Sequence, residues 1–104
     1  MDRIQVLKTH LINAPTDVFL WYALALEYMK IKELEGSKRC FENAIKCDEN
    51  YLAIYYQYGK LCESMHNKME AISFYKKGIE IALVLKDMKT YNELVLALED
   101  LEEQ

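Results

Sequence analysis

The chain has 104 residues, a formal net charge of −4, three Gly and one Pro. Such a length supports one domain at most, and scarce turn residues beside plentiful Ala, Leu, Glu and Lys argue against a sheet-rich fold. Thirteen Lys and Arg lie scattered among seventeen acids with no basic stripe, which disfavours a nucleic-acid partner, and no apolar run approaches the roughly 18 residues of a membrane span.

The N-terminal Met1-Asp2-Arg3-Ile4-Gln5 lacks a basic flank, an apolar core and a small-residue cleavage site, and reads as mature and untargeted. Three cysteines form no disulfide framework, so the expected setting is reducing and cytoplasmic.

Residues 2–13 form the first predicted helix, with Ile4, Leu7, Leu11 and Ile12 spaced by three and four. Pro15 disfavours helical geometry at Ala14, and Thr16 or Asp17 can cap the next helix. The second helix spans about 18–32 with a stripe of Trp21, Leu24, Ala25 and Tyr28, and the third about 35–47 with Cys40, Phe41, Ala44 and Ile45. After the turn Asp48-Glu49-Asn50, a fourth helix over about 51–65 is expected to bury Leu52, Tyr55, Tyr58, Gly59 and Cys62. His66-Asn67-Lys68 is a polar turn in which Asn67 tolerates a left-handed backbone. The fifth helix carries Ala71, Ile72, Tyr75, Gly78, Ile79 and Ala82 and runs about one turn long through Leu85. Asp87 caps a sixth helix, with Tyr91, Leu94, Val95, Leu98 and Leu101 on one face. Nothing alternates with period two for long enough to make a strand.

The second and third helices recur 34 residues later as the fourth and fifth. Trp21 falls on Tyr55, Tyr22 on Tyr56, Leu24 on Tyr58, Ala25 on Gly59, Ser37 on Ala71, Phe41 on Tyr75, Ala44 on Gly78 and Ile45 on Ile79. A fixed period of this size marks a repeat architecture. Two antiparallel helices of about 13 residues plus two turns consume it, and such a hairpin buries its apolar face by stacking on a copy of itself. Small residues are needed where backbones approach, large ones to fill the gaps.

These residues resemble the tetratricopeptide repeat, whose pattern places Trp–Leu–Gly–Tyr on the first helix and Ala–Phe–Ala–Pro on the second. Here the positions hold Trp21, Leu24, Ala25, Tyr28, Ser37, Phe41 and Ala44, then Tyr55, Tyr58, Gly59, Cys62, Ala71, Tyr75 and Gly78. Ser37 replaces Ala, Cys62 replaces Tyr, and neither Glu49 nor Leu83 is the closing Pro. Leu7, Leu11 and Pro15 fit the end of a preceding half-repeat, and Tyr91, Leu94, Val95 and Leu98 the start of a following one after a two-residue insertion. The build is similar to small stand-alone bacterial tetratricopeptide proteins. The resemblance implies an all-α superhelix of about six antiparallel helices in a single domain, 1–104. Its parts would be an N-terminal half-repeat (2–15), repeats at 18–51 and 52–86, and a C-terminal half-repeat or cap (87–104).

The resemblance also implies a scaffold or adaptor that binds a peptide or partner protein in a concave groove lined by the first helix of each repeat. Position by position, the groove would hold Phe19, Tyr22, Ala23, Leu26, Met29 and Lys30, then Ala53, Tyr56, Gln57, Lys60, Glu63 and Ser64. Phe19, Tyr22, Leu26 and Met29 make an apolar strip of the kind that meets a partner; the competing expectation is that the N-terminal helix folds over it. Lys60 and Glu63 would set orientation. In one form of this groove Lys and Asn side chains grip a C-terminal carboxylate; Tyr22, Leu26 and Gln57 occupy required polar positions here and Lys60 alone matches, so an aromatic, mainly apolar ligand is expected. The alternative function is a structural homo-oligomer, such as a homodimer, associating through Val95, Leu96 and Leu101 of the C-terminal helix, where Leu96 and Val95 are spare once one face is buried. No CxxC or HxxxH pair suggests a metal, and no phosphate loop or activated nucleophile suggests an enzyme, so neither cofactor nor catalytic residue is expected.

Overall fold

Polar residues at the turns become helix ends. In the computed structural model, which describes residues 2–104, Asp2, Asp17, Asn67 and Asp87 each accept a hydrogen bond from the backbone N–H three residues on, at 2.9, 3.3, 3.1 and 3.0 Å. Each satisfies a donor that the first helical turn leaves unpaired. Thr90 N–H and hydroxyl both donate to Asp87, and these bonds hold its carboxyl below the usual range. The helices so started are α1 (Arg3–Asn13), α2 (Val18–Lys30), α5 (Lys68–Leu85) and α6 (Met88–Glu102); α3 (Leu34–Cys47) and α4 (Ala53–Ser64) begin without a side-chain cap, and there is no strand among the described residues. The long α5 absorbs the two extra residues of the second repeat.

The C-terminal ends repeat as well. Lys32 and His66, 34 residues apart, both adopt left-handed backbone, φ 63° and 59°. Glu33 N–H then reaches back to the Tyr28 carbonyl (3.0 Å), and Asn67 N–H to that of Cys62 (2.8 Å). This closure satisfies carbonyls the helix end leaves open. The left-handed residue is therefore His66, where Asn67 was expected. The closure needs that backbone one position before the residue whose N–H returns, which frees Asn67 to cap α5.

By its packing the chain divides into two compact units, Met1–Tyr51 and Leu52–Gln104. In the first, Leu7 and Leu11 of α1, Leu24 and Ala25 of α2, and Ser37, Cys40, Phe41 and Ala44 of α3 are buried. Ser37 stands where the repeat pattern has Ala, and its hydroxyl donates to the Ala25 carbonyl at 2.8 Å, so a polar atom in the core is satisfied across the α2–α3 crossing. Trp21 and Tyr28 are half-buried, with Trp21 Nε1 donating to the Pro15 carbonyl at 2.8 Å.

In the second unit Tyr55, Tyr58, Gly59 and Cys62 of α4 meet Ala71, Tyr75, Gly78 and Ala82 of α5, and α6 adds Leu94, Ala97 and Leu101. Phe74 stacks on Tyr58, centroids 4.0 Å apart. A Cβ on Gly59 would lie 2.2 Å from the Tyr75 ring, and one on Gly78 would lie 2.9 Å from both Leu94 Cδ1 and Tyr55 Cβ. Gly59 therefore permits a ring-to-backbone approach that alanine forbids, and Gly78 a close approach of the Leu94 methyl and the Tyr55 Cβ. Several expected core residues sit shallower: Leu52, Ile45, Ile72, Ile79, Val95 and Leu98 are half-buried, while Ile54, Leu61 and Ala97 are buried without having been expected to be.

Gly59→Ala is expected to cost roughly 1–3 kcal/mol by overpacking, although alanine gains about 1 kcal/mol in helix propensity. Lys32→Gly, which relieves a left-handed side chain, is expected to add roughly 0.5–1 kcal/mol. Thermal unfolding of the two variants reads both signs.

Candidate functional site: the free faces of α2 and α4

The Asp17 cap sets the phase of α2, and spacings of three and four then place Phe19, Tyr22, Leu26 and Met29 on one side. Phe19 is 50% exposed, Tyr22, Leu26 and Met29 are half-buried, and Lys30 is exposed with its Nζ 3.1 Å from Glu27 Oε2. The interactions of α1 go to the other side of α2: Lys8 Nζ stands 5.8 Å from the Tyr28 ring centroid, and Arg3 Nε is 3.4 Å from Glu27 Oε2. Ala23, counted with this face from its position, is buried. Tyr22 is partly structural, because its ring packs 6.4 Å from Phe41 and 5.7 Å from Tyr51. Burial first, and Tyr51 second, raise the pKa of its hydroxyl.

On α4, Tyr56 and Lys60 are half-buried, and Lys60 Nζ lies 5.5 Å from the Tyr56 ring centroid and 3.7 Å from Glu63 Oε2. Glu63 is more committed than its position suggested. Its Oε2 also accepts a hydrogen bond from the Tyr75 hydroxyl, so this carboxylate anchors a buried ring from α5. A signal for that bond exists in the repeat. Repeat one pairs Met29 with Phe41, and repeat two replaces both, by Glu63 and Tyr75. A hydroxyl gained in a core requires a partner, and the carboxylate appears with it. Burial, then the bond to Glu63, push the Tyr75 pKa up.

The α6 residues divide. Leu96 is 62% exposed and Val95 half-buried, but Leu101 is 3% exposed, so it belongs to the core of the second unit and presents no surface to a second copy. Packing on that side follows Leu94, Ala97 and Leu101, at intervals of three and four, which draws Leu101 inward. All three cysteines are free thiols, with Cys40 and Cys62 buried, and burial pushes the Cys40 thiol up to about 11. Among the described residues no group of three His, Cys, Asp or Glu could hold a metal, and no helix is long and apolar enough to cross a membrane.

A family model described as tetratricopeptide repeat matches residues 20–51 and 52–85. A tetratricopeptide repeat domain protein from Salinibacter ruber, solved by solution NMR, is 35% identical with a TM-score of 0.80, covering 86% of this chain and 90% of its own. A crystal structure of a tetratricopeptide repeat domain protein from the same organism gives 34% identity and 0.78, covering 84% and 97%. The TPR2B domain of yeast Sti1, solved in complex with pHsp70, is 13% identical with a TM-score of 0.90 over 97% of this chain and 81% of that one, a likeness of fold. Comparison with curated proteins finds no match.

Tyr75 supplies a pH test. Its raised folded pKa means the unfolded chain loses this proton first, so its contribution is full below about pH 10 and declines as pH rises beyond. Tyr75→Phe is expected to cost about 1–2 kcal/mol at neutral pH, by removing the bond to Glu63, and to flatten the alkaline decline. Urea midpoints from pH 8 to 11, as approximate bounds around that pKa, read both effects.

Proposed function

This chain belongs to the tetratricopeptide repeat family, and on that premise we propose that it is a protein-recognition module, a scaffold or adaptor that binds without chemistry. The fold generally mediates protein–protein interaction, and the related Sti1 domain was solved as a complex with pHsp70. The proposal takes residues 1–104 as one domain working in the cytoplasm, a setting that suits its three free thiols. The free face of α2 and, taken by itself, that of α4 are the surfaces proposed for a partner, at the helix positions that the family resemblance gives to ligand binding.

One observation carries this reading: Phe19 is half exposed at the head of an apolar line continued by Tyr22, Leu26 and Met29. An aromatic ring held open to water on a rigid helix is an anchor with little entropy left to lose. Tyr56 and Lys60 offer an aromatic face and a cation from α4, whereas Glu63 is largely engaged with Tyr75 and Lys60. The expected ligand is an apolar or aromatic peptide segment. A carboxylate-gripping mode is not supported, because Tyr22, Leu26 and Gln57 fill positions where that mode uses Lys and Asn.

A photo-crosslinker at position 26 would identify the bound protein. Phe19→Ala is then expected to weaken binding of the purified partner about ten- to a hundredfold, the worth of burying one such ring, with the melting temperature unchanged. Unchanged affinity would remove the α2 face from the proposal.

A second reading rests on the exposure of Leu96, which offers α6 to another copy of the chain. If it holds, sedimentation shows a dimer that Leu96→Glu splits; a monomer at high concentration ends it.

A further inference from the structure

The first unit carries a concavity on the opposite side of α2 from Phe19 and Leu26. It is a cleft of about 420 Å³ whose floor includes Trp21 and Tyr28, with Lys8 and Ile12 of α1 on one wall and Gly36 and Arg39 of α3 on the other. The charged residues lining it are both cations, in a protein whose net charge is −4. Both are exposed, and among the described residues neither Lys8 nor Arg39 takes part in an ion pair. The Lys8 ammonium stands 5.8 Å from the centre of the Tyr28 ring. The apolar part of the cleft is open as well, with Ile12 78% exposed and both floor aromatics half-buried.

Gly36 supplies an independent observation. Glycine is a poor helix former, so its presence in the first turn of α3 invites a reason. Gly59 and Gly78 have one, since an added Cβ would meet neighbours at 2.2 and 2.9 Å. Gly36 does not: a Cβ there would rest 3.5 Å from the Tyr28 ring, an ordinary contact, and its backbone is not left-handed. Its bare backbone leaves the Tyr28 ring without a side chain over it from position 36, in a cleft that Lys8 and Arg39 also line.

We propose that this cleft binds an acidic peptide segment, with a carboxylate between Lys8 and Arg39 and a neighbouring aliphatic or aromatic side chain lying on Tyr28 across Gly36. The charge of the lining selects the carboxylate, and the aromatic floor selects the apolar neighbour. A polyanion such as nucleic acid is a poor occupant, because the rest of the chain repels it. The Trp21 indole N–H is held by the Pro15 carbonyl, so Trp21 contributes its ring rather than a hydrogen bond. This site is separate from the Phe19 face and does not depend on it.

The test is an NMR titration of the full chain with the capped peptide acetyl-Glu-Leu-Phe-Glu-amide, beside its analogue with both Glu replaced by Gln. The acidic peptide is expected to shift the Trp21 indole and Gly36 amide signals, and the Gln analogue to bind about tenfold more weakly, as two exposed ion pairs warrant. Lys8→Glu combined with Arg39→Glu should abolish the shifts with melting unchanged, since both side chains are exposed; Gly36→Leu should block the cleft; Phe19→Ala should change nothing. No shift at Trp21 and Gly36 up to ~5 mM peptide, a range corresponding to about the weakest useful affinity, would overturn the proposal. So would equal affinity for the Gln analogue, or shifts confined to Phe19 and Leu26.

Discussion

In the second unit, the Tyr75 ring lies where a side chain on residue 59 would have to be. That close approach fixes how near α5 comes to α4, and it shapes much of the unit. The ring is wholly buried, its hydroxyl must find an acceptor, and Glu63 one turn further along α4 provides it. The first unit meets the same need differently. Ala25 carries a methyl, Phe41 lacks the hydroxyl, Met29 takes the place of Glu63, and the crossing is tied instead by the Ser37 hydroxyl on the Ala25 carbonyl. The two repeats are alternative solutions of one packing problem, and a change at one position of the trio is matched at the others.

This division of labour decides which side chains are free for recognition. Residues that make the crossing point inward and have no surface to give. Some of the residues between them are drafted in part: Glu63 by Tyr75, and Tyr22 by Phe41 and Tyr51. Phe19, Leu26 and Met29 on α2, and Tyr56 and Lys60 on α4, retain open surface. On the other side of α2, the cleft opens where Gly36 leaves α3 without a side chain over Tyr28.

The helices were legible because the 34-residue spacing and the capping residues coincide: Asp17 and Asp87 each stand immediately before a helix and cap it. What escaped has physical causes. Ile54 and Leu61 form a second stripe on α4, and repeat one holds Leu20 and the charged Glu27 at the same places, so matching the repeats did not single them out. His66 adopts the left-handed backbone that composition assigned to Asn67, because hydrogen-bond closure, rather than residue preference, chooses the position. Leu101 fits both the packing face and self-association on a helix rich in leucine, but a helix buries the side its neighbour reaches, and Ala97 shows where that side lies. The role of Glu63 was hidden because a carboxylate on a helix face ordinarily faces water, and its partner is twelve residues away on the next helix.

The central claim is that the residues matched between repeats hold the hairpins together while several between them are left free. A complete substitution scan of the isolated chain, read by protease resistance and with no partner present, tests it most directly. The account predicts that Leu24, Ala25, Phe41, Ala44 and their counterparts Tyr58, Gly59, Tyr75 and Gly78 tolerate almost no substitution, and that Phe19, Leu26, Lys60 and Gly36 tolerate most. Intolerance at Phe19, Leu26 and Gly36 equal to that at Ala25 and Gly59 would contradict it.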